Sequence, residues 1–120
     1  MQIIVMGMHR SGTSVVTQLL NMMGAYVGSE DSLMGVNSEN LKGFWEREDV
    51  KALNKHAMEV LRLDWDRVGK FDRRHLEDEK FGPLIMRMRN VLAALEPFRP
   101  WVIKEPRMCL VFPLWRKILD

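Results

Sequence analysis

The densest chemistry in this 120-residue chain lies in Gly7-Met8-His9-Arg10-Ser11-Gly12-Thr13-Ser14. Two glycines separated by four residues, followed by two hydroxyl residues, have the spacing of a loop that wraps an oxyanion. Gly12 lets the backbone approach the anion closely. The amides of Ser11 to Ser14 would point inward at the start of a helix, where backbone N–H groups lack acceptors and the helix dipole is positive. That dipole contributes about 0.3–1 kcal/mol per anionic charge. The lysine that serves a nucleotide's β- and γ-phosphates together with Mg²⁺ is absent. Thr13 stands in its place, and the cation moves to Arg10 inside the loop. A guanidinium there suits an anion gripped by a planar fork.

A loop of this kind needs a strand before it and a helix after it. Ile3-Ile4-Val5-Met6 is a short apolar run with β-branched residues and reads as a buried strand. From about Ser14 the spacing is helical, with Val16, Leu19, Leu20 and Met23 on one face and Gly24 as a stop. Gly28 to Gly43 reads as a loop. A second helix is predicted over about Glu46 to Leu63, with Val50, Leu53, Ala57, Val60 and Leu61 as its apolar stripe. Asp64 to Asp72 reads as a connection anchored by Trp65, and Pro83 opens a helix to Leu95. Trp101-Val102-Ile103-Lys104 reads as a second strand, followed by helical spacing over Met108 to Leu119. Strands separated by helices predict an α/β fold with parallel strands and right-handed crossovers.

Composition narrows the class. One cysteine, Cys109, excludes an intrachain disulfide, and without metal-ligand spacing it reads as a small buried hydrophobe. No apolar run approaches the roughly 20 residues of a membrane span. The N-terminal residues lack the pattern of a signal peptide, so the cytoplasm is the expected compartment. Net charge is +2, and basic residues alternate with acids, which reads as a solvated surface and not as a nucleic-acid stripe. The ten methionines read as adaptable core filling, and Trp45, Trp65, Trp101 and Trp115 as core or rim anchors.

Arg10-Ser11-Gly12-Thr13-Ser14 after an apolar strand resembles the 5′-phosphosulfate loop of sulfotransferases that use 3′-phosphoadenosine 5′-phosphosulfate (PAPS). Bacterial sulfotransferase-family proteins are the nearer likeness and tyrosylprotein sulfotransferases a more distant one. Two further segments carry the resemblance. Asn40-Leu41-Lys42-Gly43-Phe44-Trp45-Glu46 is similar to the family's Asn-x-(Lys/Arg)-Gly-aromatic-aromatic-Glu stretch, and Trp101 to Arg107 to its Lys-(Asp/Glu)-Pro strand end. Together they span most of residues 3–119.

The resemblance implies a P-loop NTPase-like, three-layer α/β fold over residues 1–120, forming the N-terminal portion of a single sulfotransferase-like domain. It implies PAPS as co-substrate, no metal, and a hydroxyl or amine acceptor, such as a small molecule or carbohydrate. Arg10 takes the role of the loop cation, and Ser11, Gly12, Thr13 and Ser14 form the cradle, with His9 at its edge. Read from its position alone, His9 is a loop residue facing solvent. Lys104 would reach the bridging oxygen from the strand end, where open α/β sheets place ligands. It also reads as a solvated lysine before Pro106. Glu46, after two aromatics, is a candidate base; its alternative is a helix-start acid favourable to the dipole. Glu30, Asp31 and Glu105 are competing acids, and Arg107 is an anion contact or a partner for an acid. The family pattern continues with a strand whose Arg and Ser grip the 3′-phosphate, and these fall beyond Asp120. The expectation is therefore the 5′ half of the site, completed by further chain, a complementing chain or a homo-oligomer. Two other readings stay open: a relative of P-loop nucleotide kinases, and a non-catalytic anion-binding or assembly module.

Overall fold

The computed structural model describes residues 1–29, 45–67 and 73–120. Its sheet pairs β1 (Gln2–Val5) with β2 (Trp101–Lys104) in parallel, Gln2 opposite Trp101 and Val5 opposite Lys104. The helices are α1 (Thr13–Met22), α2 (Glu48–Leu61), α3 (Gly82–Leu95) and α4 (Met108–Arg116). Short 3₁₀ turns occupy Arg73–Glu77, Glu79–Phe81 and Glu96–Phe98. The chain is thus α/β with parallel strands, each boundary within a few residues of its sequence expectation.

A strand points alternate side chains to opposite faces, and β2 uses both. Trp101 and Ile103 enter the larger core with residues of α2, α3 and α4, joined by Ile4 of β1. Val102 enters the smaller one with Val5, Ala25 and Val27, against which Ile3, Leu20 and Trp45 pack. Helices therefore cover both faces, as a buried parallel pair requires. The larger core holds Trp101, Trp115, Phe81 and Met88 with essentially no solvent contact. Each such side chain contributes about 1.5–3 kcal/mol by burial.

Two features depart from the sequence expectation. Tyr26 forms a bridge on the edge of β2 away from β1: its N–H donates to Pro100 O at 2.8 Å, and Val102 N–H donates to Tyr26 O at 2.9 Å. Ala25-Tyr26-Val27, to which the sequence pattern assigns no element, is too short a run to stand as a strand. Second, α1 lays Thr13, Thr17 and Leu20 toward the sheet, while Val15, Val16, Leu19, Met22 and Met23 are exposed, Met23 at 82%. The face predicted from Val16, Leu19, Leu20 and Met23 is thus covered only at Leu20. A polar stripe can face the sheet because the Thr17 hydroxyl donates to Thr13 O at 2.8 Å, within its own helix.

Methionines divide likewise: Met58, Met88 and Met108 are core, whereas Met6, Met8, Met22, Met23 and Met86 are exposed. Cys109 is exposed as well, correcting the expected burial. It lies on the outer side of α4, whose inward positions are Met108, Val111, Leu114 and Trp115. No helix among the described residues is long and apolar enough to cross a membrane.

Candidate functional site

The loop between β1 and α1 is built as its glycines dictate. A Cβ on Gly7 would sit 2.8 Å from Ser11 Oγ and closer still to Thr13 Cγ2, so the loop closes against the residue 7 backbone. Gly12 has φ 85°, a left-handed conformation that glycine alone adopts without strain. Arg10 is also left-handed, at φ 60°, a turn conformation uncommon for a residue with a Cβ. The Ser11 hydroxyl donates to Met8 O at 2.6 Å and ties the turn together.

The start of α1 carries no side-chain cap of its own. Its N-cap is Gly12, which contributes no side-chain acceptor, and its first turn contains no acidic residue. The first-turn amides of a helix have no acceptor within the helix. Neither the N-cap side chain nor an acid of the helix's own first turn serves them here.

Lys104 ends β2 on the face shared with Val102. Its ammonium donates to Ser14 Oγ at 3.4 Å and forms an ion pair with Glu46 Oε1. Lys104 and Glu46 are each only 5% exposed. Lys104 is therefore not a solvated turn lysine, and Glu46 is not a solvent-facing helix-start acid. Glu46 precedes α2, whose first turn carries Glu48 and Asp49 instead. Arg47 binds Asp49 through two hydrogen bonds, Nε to Oδ1 at 3.0 Å and Nη2 to Oδ2 at 2.7 Å. Trp45 reaches this point with φ 55° and packs against the smaller core beside Val5 and Val102. Three segments remote in sequence thus meet: Ser14, Glu46 and Lys104.

The next residue of the chain points the other way. Glu105 is fully buried. Its Oε2 accepts from Asn54 Nδ2 at 2.8 Å and from Arg107 N–H at 3.0 Å, and its Oε1 accepts from Arg107 Nη1 at 2.6 Å. Trp115 Nε1 donates to Asn54 Oδ1 at 2.6 Å, extending the network into α4. Burial pushes the Glu105 carboxyl above its ordinary value, and the hydrogen bonds from Asn54 and Arg107 offset that only in part. Arg107 lies over the Trp65 ring, Cζ 5.6 Å from its centroid, and Trp65 meets His9 edge-on at 4.5 Å.

His9 is exposed, as its loop position predicts, but it packs on Trp65. Arg10, Ser11 and Gly12 are exposed on the loop. Arg107 belongs to the Trp65 side of the loop and not to the Lys104 cluster. Glu30, Asp31 and the Asn40–Phe44 stretch lie outside the described residues. Sequence reasoning missed Asn54, which sits beside Leu53 on an otherwise apolar helix face. A polar residue there signals a buried hydrogen-bond partner, and Asn54 holds two. Among the described residues, no group of three or more His, Cys, Asp or Glu side chains is placed to hold a metal ion.

No family model, curated protein or solved structure matches the chain.

Proposed function

We propose that this chain is a sulfotransferase-family protein with a P-loop-like fold, which binds the phosphosulfate end of PAPS at residues 7–14 and serves sulfuryl transfer to a hydroxyl or amine acceptor. One observation carries the reading: Lys104 and Glu46, buried and ion-paired, meet Ser14 in the first turn of α1. These residues lie in or beside the three segments that carry the sequence resemblance.

In the proposed reaction the acceptor oxygen or nitrogen forms a bond to sulfur. The bond from sulfur to the bridging 5′-phosphate oxygen breaks, and its electron pair leaves with adenosine 3′,5′-bisphosphate. Arg10, the loop amides and Lys104 stabilise the charge growing on that oxygen. Lys104 meets Glu46 Oε1, and the acceptor's proton is assigned to the carboxylate's other oxygen. A sulfuryl group carries less charge than a phosphoryl group, which accords with a loop lacking the lysine of Mg²⁺-dependent nucleotide sites.

A second reading, an assembly module without catalysis, is favoured by the exposed stripe of α1 and by the edge of β1 that carries no strand among the described residues. Calorimetry separates the readings. Saturable binding of adenosine 3′,5′-bisphosphate without Mg²⁺ supports the sulfotransferase reading. Mg²⁺-dependent ATP binding would replace it with a nucleotide kinase relative. Binding of neither by a folded chain, with self-association in light scattering, would favour the assembly module.

A further inference from the structure

We propose that Glu105 is a positioning residue for the phosphate loop: it fixes Arg107 over Trp65, and through Trp65 it fixes His9, between the two loop glycines. The proposal rests on the anion-site reading for its functional meaning, while its geometry stands apart from that reading.

The links are continuous. Both oxygens of Glu105 are used, one by Arg107 Nη1 and the other by the Arg107 backbone N–H and Asn54. A guanidinium held by its own backbone neighbour has few rotamers left. The Arg107 side chain is only 19% exposed, and its Cζ lies over the Trp65 ring. Trp65 is itself held in a tight turn: its N–H donates to Asp64 Oδ1 at 2.7 Å, and Arg67 N–H donates to Asp64 O at 3.1 Å. The T-shaped contact with His9 then reaches the loop. Asn54 anchors the far end of the chain of contacts to Trp115 in the core.

Stability alone does not account for a carboxylate at this place. A buried ion pair is often no more stabilising than apolar packing of the same volume. What the carboxylate adds is direction: an apolar residue at 105 would bury equally well and leave Arg107 without a fixed orientation. The same strand end therefore supplies Lys104 to one side of the loop and, through Glu105, a fixed wall to the other.

The test compares Glu105→Gln with Val111→Ala, a core change in α4 that leaves the charges of the network in place. Glu105→Gln keeps an oxygen for Asn54 but removes the charge that holds Arg107. Adenosine 3′,5′-bisphosphate affinity is measured by calorimetry, and the Trp65 indole and His9 ring signals by NMR. The expected result is an affinity about tenfold weaker in Glu105→Gln, the scale of one charged hydrogen bond, with displaced Trp65 and His9 signals. Val111→Ala should lose stability and leave affinity and both signals unchanged. Unmoved Trp65 and His9 signals in Glu105→Gln would overturn the proposal, as would equal weakening by the two variants. If the wild-type chain does not bind the probe, the anion-site reading fails. The two NMR signals then decide the positioning role alone, displacement supporting it and constancy overturning it.

Discussion

Lys104 and Glu105 are neighbours in sequence, both buried and both of charged type, yet they engage different partners. Lys104 lies on the side of the smaller core and meets Ser14 at the start of α1, with Glu46 as its ion-pair partner. Glu105 faces the larger core and is enclosed by Asn54, Arg107 and, one step on, Trp115. The alternation of a strand separates them at no cost in chain length. The Lys104 cluster borders exposed loop residues that an anion can reach, whereas the Glu105 cluster is built into helix packing. A buried charge therefore does not by itself mark a reactive site; what it faces decides.

The contrast predicts unequal responses. The largest belongs to Glu105→Ala, which leaves Asn54 and Arg107 without their acceptor. It should cost about 3–5 kcal/mol, the range for breaking a buried pair from one side, measured by urea unfolding. A cost below that of an ordinary surface change would show that Glu105 is not built into the packing.

A smaller effect is expected from pH. Burial raises the folded-state pKa of Glu105 above its ordinary value of 4.5. Between the unfolded and folded values the folded chain holds the extra proton, so stability from this group is full below about 4.5 and is lost as pH rises through the folded value. Glu96 runs the other way, since the hydrogen bond from Arg99 lowers its carboxyl. Its contribution is present above 4.5 and lost as pH falls, but it is common to wild type and Glu105→Gln. The stability difference between those two should therefore shift against wild type as pH rises from about 4.5 toward 7. A difference independent of pH would mean that burial does not dominate at Glu105.

The smallest stability effect is expected where the site is proposed to work. Replacing Glu46 and Lys104 together by Leu and Met should leave stability within about 1 kcal/mol of wild type or above it, because paired buried charges gain little over apolar packing. Anion binding should nevertheless be abolished. A loss of several kcal/mol would make the pair structural and remove the contrast with Glu105.

Much of this was legible in the sequence, and the reasons are physical. Ile3 to Val5 and Trp101 to Lys104 are apolar runs bounded by Gly7 and Pro106, and strands of that kind announce themselves locally. The loop was legible because glycine spacing reflects backbone demands, here close approach at Gly7 and a positive φ at Gly12. The types and positions of Lys104 and Glu46 mark them as candidates, but their mutual pairing depends on where α2 begins relative to β2, which no local pattern encodes. The α1 face was misassigned because hydrophobic spacing reports which residues are apolar and not which face meets the sheet. Thr13 and Thr17 took the inward positions, helped by a hydroxyl bonded within the helix. The Glu105 network was illegible for a similar reason. Asn54 and Trp115 lie 51 and 61 residues from their partners, and a hydrogen bond at that separation leaves no periodic trace.

Residues 7–14, with Lys104, are proposed to receive a phosphosulfate-type anion. This is tested most directly by titrating adenosine 3′,5′-bisphosphate, in buffer free of Mg²⁺, into the wild-type chain and into Arg10→Ala. The account predicts saturable binding to the wild type, weakened in Arg10→Ala by about 1.5–3 kcal/mol, the scale of a charged hydrogen bond. Equal affinity in the two proteins, or no binding by the folded wild type, would contradict it.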